Sequence, residues 1–311
     1  VSAKVPDFTN INLNTAEESA CTPEVDEDFR GMVIATPDKI DLAAPWHGSV
    51  GRPRRPVWPV CGTVQYSAAT GARFRSFSNQ ILLVAVEART HAPYVWNLLR
   101  KGFDPVYSKR PTPEQLEEWK DRVHTESFNA NAFYYIEDLP AAPGRYHVFA
   151  TIGDIVSNVR TVEIVGKGSE RGARHVAPGE AQFGKAARPP AVAADFRGIK
   201  IAARVQRWPQ SGPVWVDGVV QLADKDAAAL GVTPIQRAVV MTASSGMLFW
   251  SWSVAGERSL FPDDQERLPG AVRGTFSMEV SQACGASKDE GVYLLVSVGP
   301  FVSNVVFLPS N

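Results

Sequence analysis

Along residues 195–202, DFRGIKIA, the apolar Ile199 and Ile201 alternate with Lys200, the two-residue period of a strand with one face buried. Residues 28–35, DFRGMVIA, carry the same pattern, with Met32 and Ile34 in the apolar places. Short runs rich in β-branched and aromatic residues recur at 60–66, 80–88, 132–137, 145–152 and 155–165. A second series lies at 214–222, 236–243, 274–281, 291–298 and 301–308. Neither series shows sustained helical periodicity. Many short strands separated by turns predict an antiparallel β-sandwich. One helix interrupts them: Thr112-Pro113-Glu114-Gln115 supplies an N-cap, a first-turn proline and a capping-box glutamine. Leu116, Trp119 and Val123 share one helical face, which predicts a helix over 112–124. A shorter helical turn is expected near 226–230, ended by Gly231.

The two series are related. GDIVSNV at 153–159 returns as GPFVSNV at 299–305, and PVWPVCGTVQ at 56–65 returns as PVWVDGVVQ at 213–221. YHVFATI at 146–152 corresponds in place to VYLLVSV at 292–298. With DFRG these are four matches in one order, so we read an internal duplication. The chain is expected to be all-β, with two tandem antiparallel β-sandwich domains and one short helical insertion in the first. That organisation resembles tandem immunoglobulin-like or fibronectin-like domains. An irregular acidic arm, 1–27, precedes the first domain, 28–166. A Gly/Ala/Pro-rich basic linker, 167–194, leads to the second domain, 195–311. Within each repeat, Gly153-Asp154 and Gly299-Pro300 are expected to turn between the last strands. Ser157, Asn158, Ser303 and Asn304 then act as structural markers that bond to nearby backbone.

Composition narrows the function classes. Hydrophobic residues make up 44% and charged residues 21%, and the formal net charge is −1, which speaks against a generally basic nucleic-acid binder. No apolar run approaches the roughly 20 residues of a membrane-spanning helix. VSAKVPDFTN lacks the apolar core of a signal peptide, so the protein is read as soluble, cytoplasmic or exported with a signal already removed. The three cysteines, Cys21, Cys61 and Cys284, have no metal or thioredoxin spacing. Cys21 and Cys61 can pair, but buried free thiols are the favoured expectation.

Catalytic motifs are missing: the chain has no GxSxG, HExxH or Walker loop, and nothing in it calls for a cofactor or a metal. The five histidines, His47, His91, His124, His147 and His175, all precede the second domain, so histidine chemistry cannot belong to the shared fold. The loop 46–55, WHGSVGRPRR, combines Trp46 with Arg52, Arg54 and Arg55, and guanidinium groups held by prolines can take an anionic ligand. A solvated loop paired with the acidic arm is the plainer reading. The leading expectation is a non-enzymatic protein for binding or assembly, with a protein partner or self-association and with arms that add strands to neighbours. The alternative is an enzyme confined to loops of the first domain, with His47, His91, Arg54, Tyr107 and His124 as its residues. A carbohydrate-binding protein using exposed tryptophans is the third reading, against a core role for Trp58, Trp96, Trp215, Trp250 and Trp252.

Overall fold

The structure is a computed structural model. It describes residues 5–9, 11–16, 18–44, 56–71, 81–90, 92–98, 112–118, 122–136, 138–167, 183–184, 189–205, 214–230, 237–243, 249–254, 266–279 and 291–308. The chain is mostly β, and it divides into two compact units with the main boundary between His175 and Val176.

The first unit begins with β1 (Gly31–Ala35), β2 (Lys39–Asp41), β3 (Pro59–Ser67), β4 (Leu82–Glu87) and β5 (Pro93–Asn97). It continues with β6 (Val123–Asn131), β7 (Gly144–Ile152), β8 (Ile155–Val156) and β9 (Arg160–Val165). One sheet has the order β1-β3-β6; the other runs β2-β9-β7-β4-β5, with β8 also on β7. β1 with β3, β3 with β6, β4 with β7, β7 with β8 and β7 with β9 pair antiparallel, and β2 with β9 is parallel. Met32, Val60, Val64 and Phe128 from the first sheet and Leu83, Ala85, Val148 and Ile164 from the second form one buried cluster. Trp58, fully buried, sits in it edge-on to Phe133 and Tyr146 at 5.7 and 5.5 Å. Its indole N–H donates to Thr36 Oγ1 at 3.0 Å, which satisfies the one polar atom of a large apolar side chain. Both faces of β4 are buried, so LLVAVE reads as a continuous apolar run rather than an alternation.

The second unit contains β10 (Phe183–Gly184), β11 (Gly198–Val205), β12 (Val214–Ala223), β13 (Arg237–Ala243) and β14 (Phe249–Val254). After these come β15 (Glu266–Leu268), β16 (Ala271–Glu279), β17 (Val292–Val298), β18 (Phe301–Val302) and β19 (Val306–Leu308). One sheet is β10-β16-β12-β11, with β15 also on β16; the other is β14-β13-β17-β18, with β19 also on β17. Ile199, Val216, Val220, Phe276, Leu294 and Val296 form their shared core. Register matches ladder for ladder. Ile34 opposes Gly62 as Ile201 opposes Gly218, and Gly62 opposes Phe128 as Gly218 opposes Phe276. Ile152 opposes Ile155 across the two-residue turn Gly153-Asp154, as Val298 opposes Phe301 across Gly299-Pro300. Gly153 and Gly299 take φ of 53° and 54°, the left-handed region that such a turn requires and that glycine enters without penalty.

Four expectations change. The segment 132–137 is not a strand: α3 (Ala132–Tyr135) is one helical turn, because Asn131 ends the β6 ladder and its side chain accepts from Phe133 N–H at 3.2 Å. The helix expected over 112–124 is α2 (Pro113–Glu118), capped as foreseen by Thr112 and Gln115. Val123 and His124 belong instead to β6, where pairing with Ser67 and Tyr66 overrides local helical periodicity. Cys21 and Cys61 form a disulfide across a Cα separation of 5.9 Å rather than remaining free thiols. Trp215 does not occupy the place of Trp58. It lies in β12 next to the core residue Val216 and so on the opposite face, half-buried. No residue in 213–221 matches Pro59, and that one-residue deletion moves the indole across the sheet.

Two remaining helical turns, α1 (Ala68–Gly71) and α4 (Asp224–Leu230), follow β3 and β12 at equivalent places. No helix among the described residues is long and apolar enough to cross a membrane.

Candidate functional site

The repeated Ser-Asn pair lies just past β8 in the first unit and just past β18 in the second. Asn158 Oδ1 accepts from Ile34 N–H at 2.8 Å, and its amide N–H donates to Ile34 C=O at 3.1 Å. Asn304 makes the same two bonds to Ile201, at 2.8 and 3.1 Å. A side-chain amide offers both a donor and an acceptor, so it stands in for a residue of a neighbouring strand. It thereby ties β1 or β11 to the opposite sheet and occupies the middle of an open sheet edge. The serines fix the asparagines: Ser157 Oγ accepts from Ala150 N–H at 2.9 Å and donates to Asn158 C=O at 2.8 Å. Ser303 does likewise with Val296 and Asn304, at 2.9 and 2.7 Å.

A second repeated arrangement lies on the sheet face away from each core. Gln65 donates through Nε2 to the carbonyls of Asp26, Glu27 and Phe29, at 3.0, 2.7 and 3.0 Å. Gln221 reaches Ala193, Ala194 and Phe196 in the same manner, at 3.4, 2.7 and 2.8 Å. Arg30 and Arg197 each wrap back on two of those carbonyls. The end of the 167–194 segment is thus held on β12 as residues 26–29 are held on β3. The parallel extends further upstream. Thr15 bridges to Asn129 of β6, and Gly184 of β10 pairs with Ser277 at the matching place on β16. The acidic arm is spent on its own unit: Ile11, Leu13 and the Cys21–Cys61 disulfide form a small buried cluster. Gln65 and Gln221 close the repeated phrases of the sequence, which was the available signal for them.

An open hollow of about 640 Å³ adjoins the second clasp, lined in part by Asp195, Arg197, Lys200, Ser303 and Asn304. Its cations are engaged with backbone: Arg197 bonds to Ala194 and Phe196 carbonyls, and Lys200 donates to Ala191 C=O at 3.0 Å.

Of the residues proposed from sequence for chemistry, Trp46, His47, Arg52, Arg54, Arg55, His91 and Tyr107 lie outside the described residues. His124 is exposed on β6 and stacks on Tyr66, with ring centres 5.7 Å apart. The Tyr66 hydroxyl donates to Glu126, and burial together with that carboxylate pushes its pKa upward. His147 is a sheet-face residue whose Nδ1 lies 3.0 Å from Thr161 Oγ1. No three His, Cys, Asp or Glu side chains among the described residues gather as a metal site. No protein-family model matches the chain, and no curated protein sequence is similar to it. In both repeated arrangements the side-chain donors and acceptors bond to backbone.

Proposed function

We propose that this chain is a non-enzymatic binding or assembly protein built from two copies of one immunoglobulin-like β-sandwich, arising by internal duplication. The observation that carries the reading is the pair of matched clasps and cradles: what the described parts of the units have in common holds backbone, and no histidine recurs in both. Correspondence of Thr15 with Gly184 further argues that the ancestral unit included its own arm. The described parts of the two arms lie on their own sheets, which argues against those parts as the elements offered to a neighbour. Assembly then falls to sheet edges that neither an arm nor an asparagine covers. A disulfide inside the first unit fits maturation in an oxidising compartment.

Sedimentation velocity on the full chain, followed over a wide concentration range with and without candidate protein partners, tests this function. Concentration-dependent association, or a partner complex with no turnover in activity screens, is the expected result. A chain that stays monomeric, binds nothing and turns over a substrate sensitive to His47→Ala would overturn it.

A further inference from the structure

The two units keep one backbone arrangement at the start of their first long strand and reverse its charge. Aligned on DFRG, Glu24-Val25-Asp26-Glu27 stand where the second unit has Ala191-Val192-Ala193-Ala194. Asp28 and Arg30 persist as Asp195 and Arg197, and Val33 is replaced by Lys200. The first unit thus sets four carboxylates against one guanidinium here, and the second sets one carboxylate against two cations. The backbone they decorate is the same. Arg30 bonds to the carbonyls of Glu27 and Phe29 as Arg197 bonds to those of Ala194 and Phe196. Gln65 and Gln221 hold the corresponding carbonyls in both. A change of charge that leaves the local fold intact points to a ligand rather than to packing.

In the second unit this stretch borders the open hollow of about 640 Å³, a volume within the range of small-ligand sites. Val302, Ser303 and Asn304 supply part of its lining, and their polar side-chain atoms are committed. Ser303 Oγ serves Val296 N–H and Asn304 C=O, and the Asn304 amide serves both backbone groups of Ile201. The lining side chains with charge to offer a ligand are Asp195, Arg197 and Lys200, all exposed.

Both cations are anchored without being neutralised. The two bonds from Arg197 leave Nη1, at 3.1 and 2.7 Å, and Nε and Nη2 keep their donors for another acceptor. Lys200 spends one of its three N–H groups on Ala191 C=O at 3.0 Å. A carbonyl fixes the direction of a cation and leaves its full charge, so less side-chain freedom is lost when a ligand arrives.

We propose that this hollow binds an oxyanion, the carboxylate or phosphate group of a small ligand, between Arg197 and Lys200. Guanidinium and ammonium groups both make charge-assisted hydrogen bonds to such oxygens, stronger than those between neutral partners. Asp195 on the same wall disfavours a polyanion, which would bring several charges against it, and so favours a compact ligand with one anionic group. The site goes beyond the assembly reading and does not depend on it.

Amide chemical shifts of the full chain, titrated with inorganic phosphate and separately with citrate at constant ionic strength, test the site. Saturable shifts confined to residues 191–200 and 302–304 are expected with at least one of them. A response to phosphate alone assigns a phosphate ligand, and a response to citrate alone a carboxylate. Lys200→Val, which installs the first unit's residue, is expected to stay folded and to weaken binding roughly tenfold or more. If it fails to fold, Lys200→Gln takes its place. No saturable response to either anion, or the same affinity in the folded Lys200 variant, would overturn the site. Sedimentation velocity in the absence of both anions reads the assembly function separately, so either proposal can fail without the other.

Discussion

Asn158 and Asn304 show how much one side chain can do when it imitates a strand. Each bonds to both backbone groups of a single isoleucine that is nearly inaccessible to solvent, so truncation leaves a donor and an acceptor without partners. Asn158→Ala or Asn304→Ala is expected to lower the unfolding free energy by about 2–3 kcal/mol in chemical denaturation. Asn→Asp retains the acceptor only and should also destabilise. Gly62 and Gly218 act through space rather than backbone freedom. A Cβ at either would approach the Phe128 or Phe276 ring at 2.2 Å, closer than any real contact. Gly62→Ala should therefore cost about 1–3 kcal/mol, and shortening the ring with Phe128→Leu in the same chain should recover part of it. A Gly62→Ala melt unchanged from wild type would show that the ring moves aside freely.

At the scale of elements, the arms decide more than their irregular sequences suggest. Residues 18–30 lie across the outer face of β3, pinned by the Cys21–Cys61 disulfide and by three carbonyls on Gln65. The bridge spans 40 residues, and its removal by Cys21→Ser with Cys61→Ser is expected to cost roughly 2–4 kcal/mol. Non-reducing mass spectrometry reads the bond directly, and denaturation with and without reductant reads its contribution. β12 of the second unit has Asp217 where β3 has Cys61, so reductant should leave the attachment of residues 193–196 untouched. Local signals located some elements and misplaced others. Capping chemistry placed the start of α2, because Thr112 and Gln115 bond to each other's backbone. Its end was misplaced, because Val123 and His124 gain more from pairing with β3 than from another helical turn.

For the whole molecule, buried tyrosines tie the fold to alkaline pH. Burial raises the pKa of Tyr66, Tyr135 and Tyr146 above the ordinary tyrosine value, with nearby Glu126 adding to the effect at Tyr66. A raised folded-state pKa favours the neutral ring, so this contribution is fully present below the unfolded value of about 10 and is lost as pH rises beyond it. Stability should fall above about pH 10, with most tyrosine ionisation at 295 nm coinciding with loss of tertiary circular dichroism. Ionisation of all seven tyrosines well before unfolding would contradict the packing described.

The sequence by itself determined the β class and the turns that glycine makes possible, because alternation and turn chemistry are local properties of the chain. It also singled out Ser157, Asn158, Ser303 and Asn304 by the repetition of one phrase. Only tertiary structure decided that Asn158 reaches Ile34, 124 residues away, that Cys21 meets Cys61, and that Trp215 lies across its sheet from the core. Tertiary structure likewise placed β2 beside β9. These depend on which strand lies beside which, and pairing across a hundred residues leaves no periodic trace in either partner.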